Sequence, residues 1–219
     1  MRTNRRRTIA AGVLLTVLWA GTAGAQEQGT WRYGFRVIDI GIDANSDPIL
    51  DSDSTISIDS SIFAEYDMTY MLGQNWGVEW MITASPHDVE VKSGIYDGLD
   101  LGSLWIAETT VTFNYMLPFW NRWRPYLGAG VSAAYFFGSD SSSAAEAIGV
   151  DKVKSDLGWG FVGQVGLAYR LNRSWILSLD VKWIDMPMDV ELDGQDGSVV
   201  ETTMDLDPLI IGLGGAVRF

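Results

Sequence analysis

The sequence predicts an all-β protein, an eight-stranded antiparallel up-and-down transmembrane β-barrel, on three observations. Eight segments alternate apolar with small or polar residues, and their connections are short and long in strict turn. Aromatic side chains gather beside every short connection.

The first 25 residues stand apart from the barrel. MRTNRRR carries four arginines, TIAAGVLLTVLWAG is an apolar run short for a membrane span, and Ala23-Gly24-Ala25 is a small-residue cleavage site. That order reads as a secretory signal peptide cleaved after Ala25. The barrel domain is then residues 26–219, about one domain's length. The whole chain has a formal net charge of −13; without the leader it falls to −17, a poor match for nucleic acid. There is no cysteine, so the fold is held without disulfides. After the leader no stretch approaches ~20 continuous apolar residues, and such a chain enters a membrane only as a closed barrel.

The alternating segments lie near 30–41, 58–71, 76–85, 104–117, 124–137, 157–171, 174–185 and 206–219. Three connections are tight, at 72–75, 118–123 and 172–173. Four are long and rich in Asp, Ser and Gly, near 42–57, 86–103, 138–156 and 186–205. All short turns therefore fall at one end of the barrel and all long loops at the other. Tyr70 and Trp76 flank the first tight turn. Tyr115, Phe119, Trp120, Trp123 and Tyr126 surround the second, and Tyr169 and Trp175 flank the third. Trp31, Tyr33 and Phe219, at the chain ends, join the same rim. Rings with an apolar body and a polar tip settle at a membrane interface.

The stretch GWGFVGQVGLAYRL shows which face meets lipid. Trp159, Phe161, Val165, Leu167 and Tyr169 share one parity, and Gly158, Gly160, Gln164, Gly166 and Arg170 share the other. The broad apolar face points outward. The closing strand, with Leu209, Ile211, Leu213, Val217 and the terminal Phe219 on one parity, resembles the assembly signal of bacterial outer-membrane proteins. That resemblance implies recognition by the barrel-assembly machinery through Phe219.

Parity then assigns the lumen. Towards the short-turn rim and mid-barrel come five cations, Arg32, Arg36, Arg170, Lys182 and Arg218, and five anions, Glu65, Asp67, Glu79, Glu108 and Asp180. Buried charges need partners, so this balanced set is expected to form a salt-bridged plug in a bore wide enough only for side chains or one small ligand. Nearer the long loops the inward residues turn apolar: Ile38, Ile40, Phe63, Leu104, Ile106, Phe136, Val162, Ile184, Leu206 and Ile210. An apolar upper lumen above a charged plug suits a lipophilic guest; in the competing reading these side chains simply fill the barrel. Inward glycines, among them Gly158, Gly160, Gly166 and Gly212, are expected to free space on one side of the bore.

At this point the residues resemble the OmpW family of outer-membrane proteins, which includes AlkL-type uptake proteins for hydrophobic compounds. TYMLGQNWGVEW with ASPHD, RPYLGAGVSAAYFF, WGFVGQVGLAYRLNRSWILSLDVKWIDM and LDPLIIGLGGAVRF carry the likeness, in the right order, over about half of the mature chain. The resemblance implies an eight-stranded barrel in the outer membrane of a Gram-negative bacterium. It also implies passage of small hydrophobic molecules through a channel closed toward the periplasm, with sideways release into the bilayer. The family's proline pair at the start of the fourth strand is missing here, where LGSLW stands at 101–105. The resemblance further implies that Trp159 helps form the channel constriction, whereas parity faces it to lipid. Either a bulge at Gly158/Gly160 turns it inward, or Phe136 takes that place.

The expected channel lining is therefore Ile38, Ile40, Phe63, Ile106, Phe136, Trp159, Val162 and Ile184. Pro86 and Pro208 each remove a ladder donor near the loop rim and fit a sideways exit, although a proline at a strand end needs no function. The single histidine, His87, reads as an exposed loop residue. Ser85 and Asp88 lie beside it, but adjacent strand residues point to opposite faces, so no catalytic triad is assigned. No cofactor or metal site is assigned either: DSDSTISIDSS lacks the central glycine of a calcium loop. The alternative function is a structural or binding barrel whose acidic loops contact lipopolysaccharide, cations or other partners without transport.

Overall fold

The computed structural model describes residues 28–46, 55–118, 120–143, 150–155, 157–194 and 199–219. The leader, Phe119 and the acidic stretches 47–54 and 195–198 lie outside the described residues. All the named elements are strands: β1 (Trp31–Ser46), β2 (Thr55–Ile58), β3 (Ser61–Met71), β4 (Trp76–Lys92), β5 (Asp100–Met116), β6 (Trp123–Ser141), β7 (Val150–Ser155), β8 (Gly158–Arg170), β9 (Trp175–Gly194) and β10 (Val199–Arg218).

Eight of them form the barrel in the order β1-β3-β4-β5-β6-β8-β9-β10, each antiparallel to its neighbours. Closure is between β10 and β1, from Arg32↔Arg218 to Ser46↔Met204. The last residue is tied in as well: Phe219 N–H donates to the Trp31 carbonyl at 2.9 Å, and Trp31 N–H donates back at 3.3 Å. The eight expected strands are thus present in order. The two short additions, β2 and β7, pair with β4 and β9 at the long-loop end.

The barrel strands run further toward the loops than the sequence indicates. Stretches 86–92, 100–103, 186–194 and 199–205, expected as loop, are strand. Their Asp and Ser content signals loop, yet the alternation continues with its polarity exchanged. On β9 the outward residues are Leu177, Leu179, Val181 and Trp183, and then Asp185 and Asp189. The inward ones are Asp180 and Lys182, and then Ile184, Met186, Met188 and Val190. Strand β4 does the same: Trp80 and Ile82 outside give way to Asp88 and Glu90, while Glu79 inside gives way to Val89 and Val91. One sheet thus meets hydrocarbon on its outside over the lower half and water over the upper half. About ten residues per strand cross the apolar band. The rest stand clear of it as a sleeve with an apolar interior.

Candidate functional site

Within the lower and middle lumen, Arg36 organises the acids. Its Nη1 donates to Glu65 Oε1 at 2.8 Å, and its Nη2 to Glu79. Its Nε lies 3.2 Å from Asp180 Oδ2 and 3.4 Å from Asp67 Oδ1. Lys182 Nζ binds the other oxygen of Glu65. Neutral groups add further bonds: Asn114 Nδ2 donates to Glu79 Oε2 at 2.8 Å, Gln164 Nε2 to the same oxygen at 3.2 Å, and Tyr126 O–H to Asp180 at 3.1 Å, while Arg36 Nε and Asp180 Oδ1 have no hydrogen-bond partner among the described residues. Glycines make the room. A Cβ on Gly34 would collide with the Asp67 carboxylate, and one on Gly166 with the Tyr126 ring. All of these ionised groups are buried, where close counter-charges and added hydrogen bonds offset the cost of desolvation.

The ten expected charges do not form one balanced set. Arg36, Lys182, Glu65, Asp67, Glu79 and Asp180 make the network just described. Glu108 sits apart, accepting from Thr110 Oγ1 at 2.7 Å and Ser132 Oγ at 3.1 Å. Arg32, Arg170 and Arg218 lie below, where with Arg124 and Arg173 they line one cavity at the short-turn end. Parity names a face but not a height, so it merges layers that the structure separates. Asn114, Gln164, Tyr126 and Arg124 share the inward parity of their strands; the sequence reading puts Gln164 on that face, names neither Asn114 nor Arg124, and sets Tyr126 in the aromatic rim, whereas the structure buries its ring in the lumen against Asp180.

Above this network the lumen is apolar and filled. Ile38, Ile40, Ile106, Phe136, Val162 and Ile184 all belong to one buried cluster. It also takes in Ile58, at the start of an expected strand, and Ile56, Val89, Val91, Leu101, Met186, Met188, Val190 and Met204 from stretches read as loop, where the alternation was the available signal. The inward glycines leave no open side: Met186 and Met188 pack over Gly158, and Met186 over Gly160.

Two expected lining residues are elsewhere. Trp159 is 61% exposed on the outer face. The β6–β8 register runs unbroken from Trp123↔Tyr169 to Ala134↔Gly158, so no bulge at Gly158/Gly160 turns the indole inward. Phe136 does face the lumen. Phe63 is half-buried, and its ring packs edge-on against Trp105, 5.8 Å away on the outer face of β5.

Phe63 lies at a break in the barrel wall. The β3–β4 ladder runs from Met71↔Gly77 only as far as Glu65↔Thr83, and above it β4 pairs with β2 from Ile58↔Val89 onward. Between them, 61–64 of β3 and 84–88 of β4 share no ladder pairing. Thr83 Oγ1 closes the foot of the break by donating to the Ala64 carbonyl at 2.9 Å, and Asp59 N–H closes its top by donating to the Asp88 carbonyl at 2.9 Å. Pro86, which has no N–H, lies inside this stretch. Pro208 sits where the β9–β10 pairing skips from Leu206↔Met186 to Leu209↔Trp183.

His87 is not an exposed loop residue. It is 3% exposed and faces the lumen, two residues from Ser85 on the same side of β4. Its Nδ1 lies 2.8 Å from the Asp59 carbonyl oxygen and its Nε2 2.9 Å from Ser85 Oγ. A carbonyl only accepts, so Nδ1 carries the proton and Nε2 accepts from the serine hydroxyl. The ring stands above the apolar band, and burial lowers its pKa from the usual 6.5, against an upward pull from Asp88 and Asp59.

Comparison with known proteins agrees with this architecture. The chain is 25% identical over 200 residues to the dibenzothiophene metabolism operon protein PahQ of Pseudomonas aeruginosa, covering 88% of this chain and 90% of that one. It is 24% identical over 222 residues to outer membrane protein W of Vibrio cholerae, covering 98% and 100%. The crystal structure of OprG from Pseudomonas aeruginosa superposes with a TM-score of 0.78 at 26% identity, covering 88% of this chain and 97% of that one. The solid-state NMR structure of AlkL in lipid bilayers gives 0.69 at 22% identity, covering 94% and 97%. The sequence model of the OmpW family matches residues 33–219, and the chain accordingly belongs to that family, a β-barrel of the Gram-negative outer membrane.

Proposed function

We propose that this barrel takes up small lipophilic molecules passively. A guest enters the apolar sleeve from outside, is stopped by the charged network, and leaves through the β3–β4 break into the bilayer. The observation that carries this reading is the exchange of polarity along the strands. It extends an apolar interior beyond the hydrocarbon band, so that a guest badly solvated by sugar and phosphate meets an apolar surface first. The lower lumen, with the Arg36 network and the arginine layer beneath it, is the plug that closes the periplasmic end. Ile38, Ile40, Ile106, Phe136, Val162 and Ile184 line the path, and Met186, Met188 and Met204 supply side chains that repack around a guest. The break lies at the upper edge of the apolar band, beside the outward-facing Ile62. The PahQ name, with its operon for metabolism of an apolar heteroaromatic, supports a hydrophobic cargo.

Vesicles of phosphatidylcholine loaded with the barrel test this against empty vesicles. Uptake of a lipophilic dye is expected to be several-fold faster with the protein. Equal rates would sink the reading.

The filled upper lumen favours a second reading, a rigid barrel whose acidic loops contact lipopolysaccharide or cations without transport. Unchanged dye uptake together with loop-dependent lipopolysaccharide binding would select it. Under either reading residues 1–25 act as a cleaved signal peptide, and Phe219 presents the closing strand to the barrel-assembly machinery.

A further inference from the structure

The upper lumen holds a polar feature that neither the plug nor the apolar lining uses. The buried cluster of the sleeve interior is made of Ile, Leu, Val, Met, Phe and Ala side chains with Tyr96 packed against it, yet Ser85 and His87 are buried at 1% and 3% exposure on the same inward face of β4. Both face inward from β4, and both lie within the stretch 84–88 that pairs with β5 but not with β3, beside the break. Leu104 stands opposite His87 across the β4–β5 ladder. Each polar atom has one partner, and capacity is left over. Ser85 Oγ donates to Nε2 and keeps its lone pairs, and the Asp59 carbonyl has a second lone pair beyond its bond to Nδ1. A guest hydroxyl can donate to Ser85 Oγ, or take the serine's place on Nε2.

We propose that Ser85 and His87 are the recognition point for a guest that is apolar except for one small hydrogen-bonding head, such as an alcohol, a phenol or a protonated carboxylic acid. Carrying such a head into an apolar bore without a partner is costly, and this pair removes that cost at one place, beside the exit. A plain hydrocarbon gains nothing from the pair but loses nothing either, because serine and histidine satisfy each other when no head is present. The preference is therefore graded, about five-fold, the size expected of one neutral hydrogen bond. This rests on the uptake reading above and adds the chemistry of the cargo to it.

The chain has a single histidine, so its imidazole gives one assignable set of NMR signals. The barrel in phosphatidylcholine nanodiscs is titrated with 1-naphthol and with 1-methylnaphthalene, which match in shape and differ by one hydroxyl. The naphthol is expected to shift the Nε2 resonance saturably and to bind about five-fold tighter. The double variant Ser85→Ala with His87→Phe, which removes both modes of contact, is expected to bring the two affinities together, with folding checked by circular dichroism. Equal binding to the unchanged barrel, or a preference that survives both substitutions, overturns the proposal. The two readings fail separately. Uptake of both compounds with equal affinity removes head recognition and leaves transport. Head-selective binding in a barrel whose vesicles take up neither compound removes transport and leaves recognition.

Discussion

Four carboxylates converge on Arg36, and Lys182 shares one of them, Glu65. Removing the guanidinium would strand Glu79, Asp67 and Asp180 in a buried site, a loss of about 3–5 kcal/mol for a broken buried ion pair. Arg36→Met keeps the bulk and removes the charge. It is expected to lower stability by that amount in urea unfolding from phosphatidylcholine vesicles. Adding Glu79→Gln should recover part of the loss, because one stranded anion is then neutral. Recovery is the informative arm, since simple loss of packing would not be relieved by a second polar change. Much of this site was legible. Parity placed Arg36, Lys182 and their four acids in the lumen, because an inward charge between two outward apolar residues has no other home. The partition into an acid-rich network and an arginine layer was not legible, because height depends on strand tilt and register. The burial of His87 was missed because Ser85 and His87 were read through their neighbours in sequence, when residues two apart share a face.

At the scale of the strand, the exchange of polarity places the outer edge of the membrane. On β9 the apolar outward run ends at Trp183 and the acidic run begins at Asp185. Leu179→Arg, at the middle of the apolar band, should therefore cost about 2–4 kcal/mol on the lipid face, whereas Asp189→Arg, on the same parity but beyond the edge, should change stability by less than about 1 kcal/mol. Folding into vesicles followed by tryptophan fluorescence compares the two. Equal costs would mean that the lipid edge lies elsewhere. The sequence reading stopped β4 and β9 at this edge because it took aspartate and serine as loop residues. Their spacing says otherwise: Asp185 and Asp189 alternate with Met186, Met188 and Val190, a strand pattern with water outside. Composition reports the solvent, while periodicity reports the backbone, and at a membrane edge the two part company.

The whole molecule is a closed wall whose ladders are interrupted toward the loops. The β1–β10 seam is paired throughout and tied at its foot through Trp31 and Phe219, whereas among the described residues β8–β9 stops at Phe161↔Asp185 before β7 takes over at Ser155↔Val190, and β9–β10 skips beside Pro208. Between β3 and β4 the ladder stops at Glu65↔Thr83, and the step above it is a single side-chain bond from Thr83 to Ala64. A guest moving from the sleeve into hydrocarbon has to open the wall downward from there, past Ala64 and Ala84, which stand opposite each other if the register is continued by one residue. The chain has no cysteine, so Ala64→Cys with Ala84→Cys introduces its only thiols, on the two strands bordering the break, where continuing the register by one residue from Glu65↔Thr83 would set them opposite each other. The oxidised barrel is expected to keep its fold and its binding of 1-methylnaphthalene, and to lose most of its uptake into vesicles. Reduction should restore the rate, which excludes damage from the substitutions themselves. If the stapled barrel transports as fast as the reduced one, release does not pass between β3 and β4. The skip beside Pro208 in the β9–β10 ladder then becomes the place to close next.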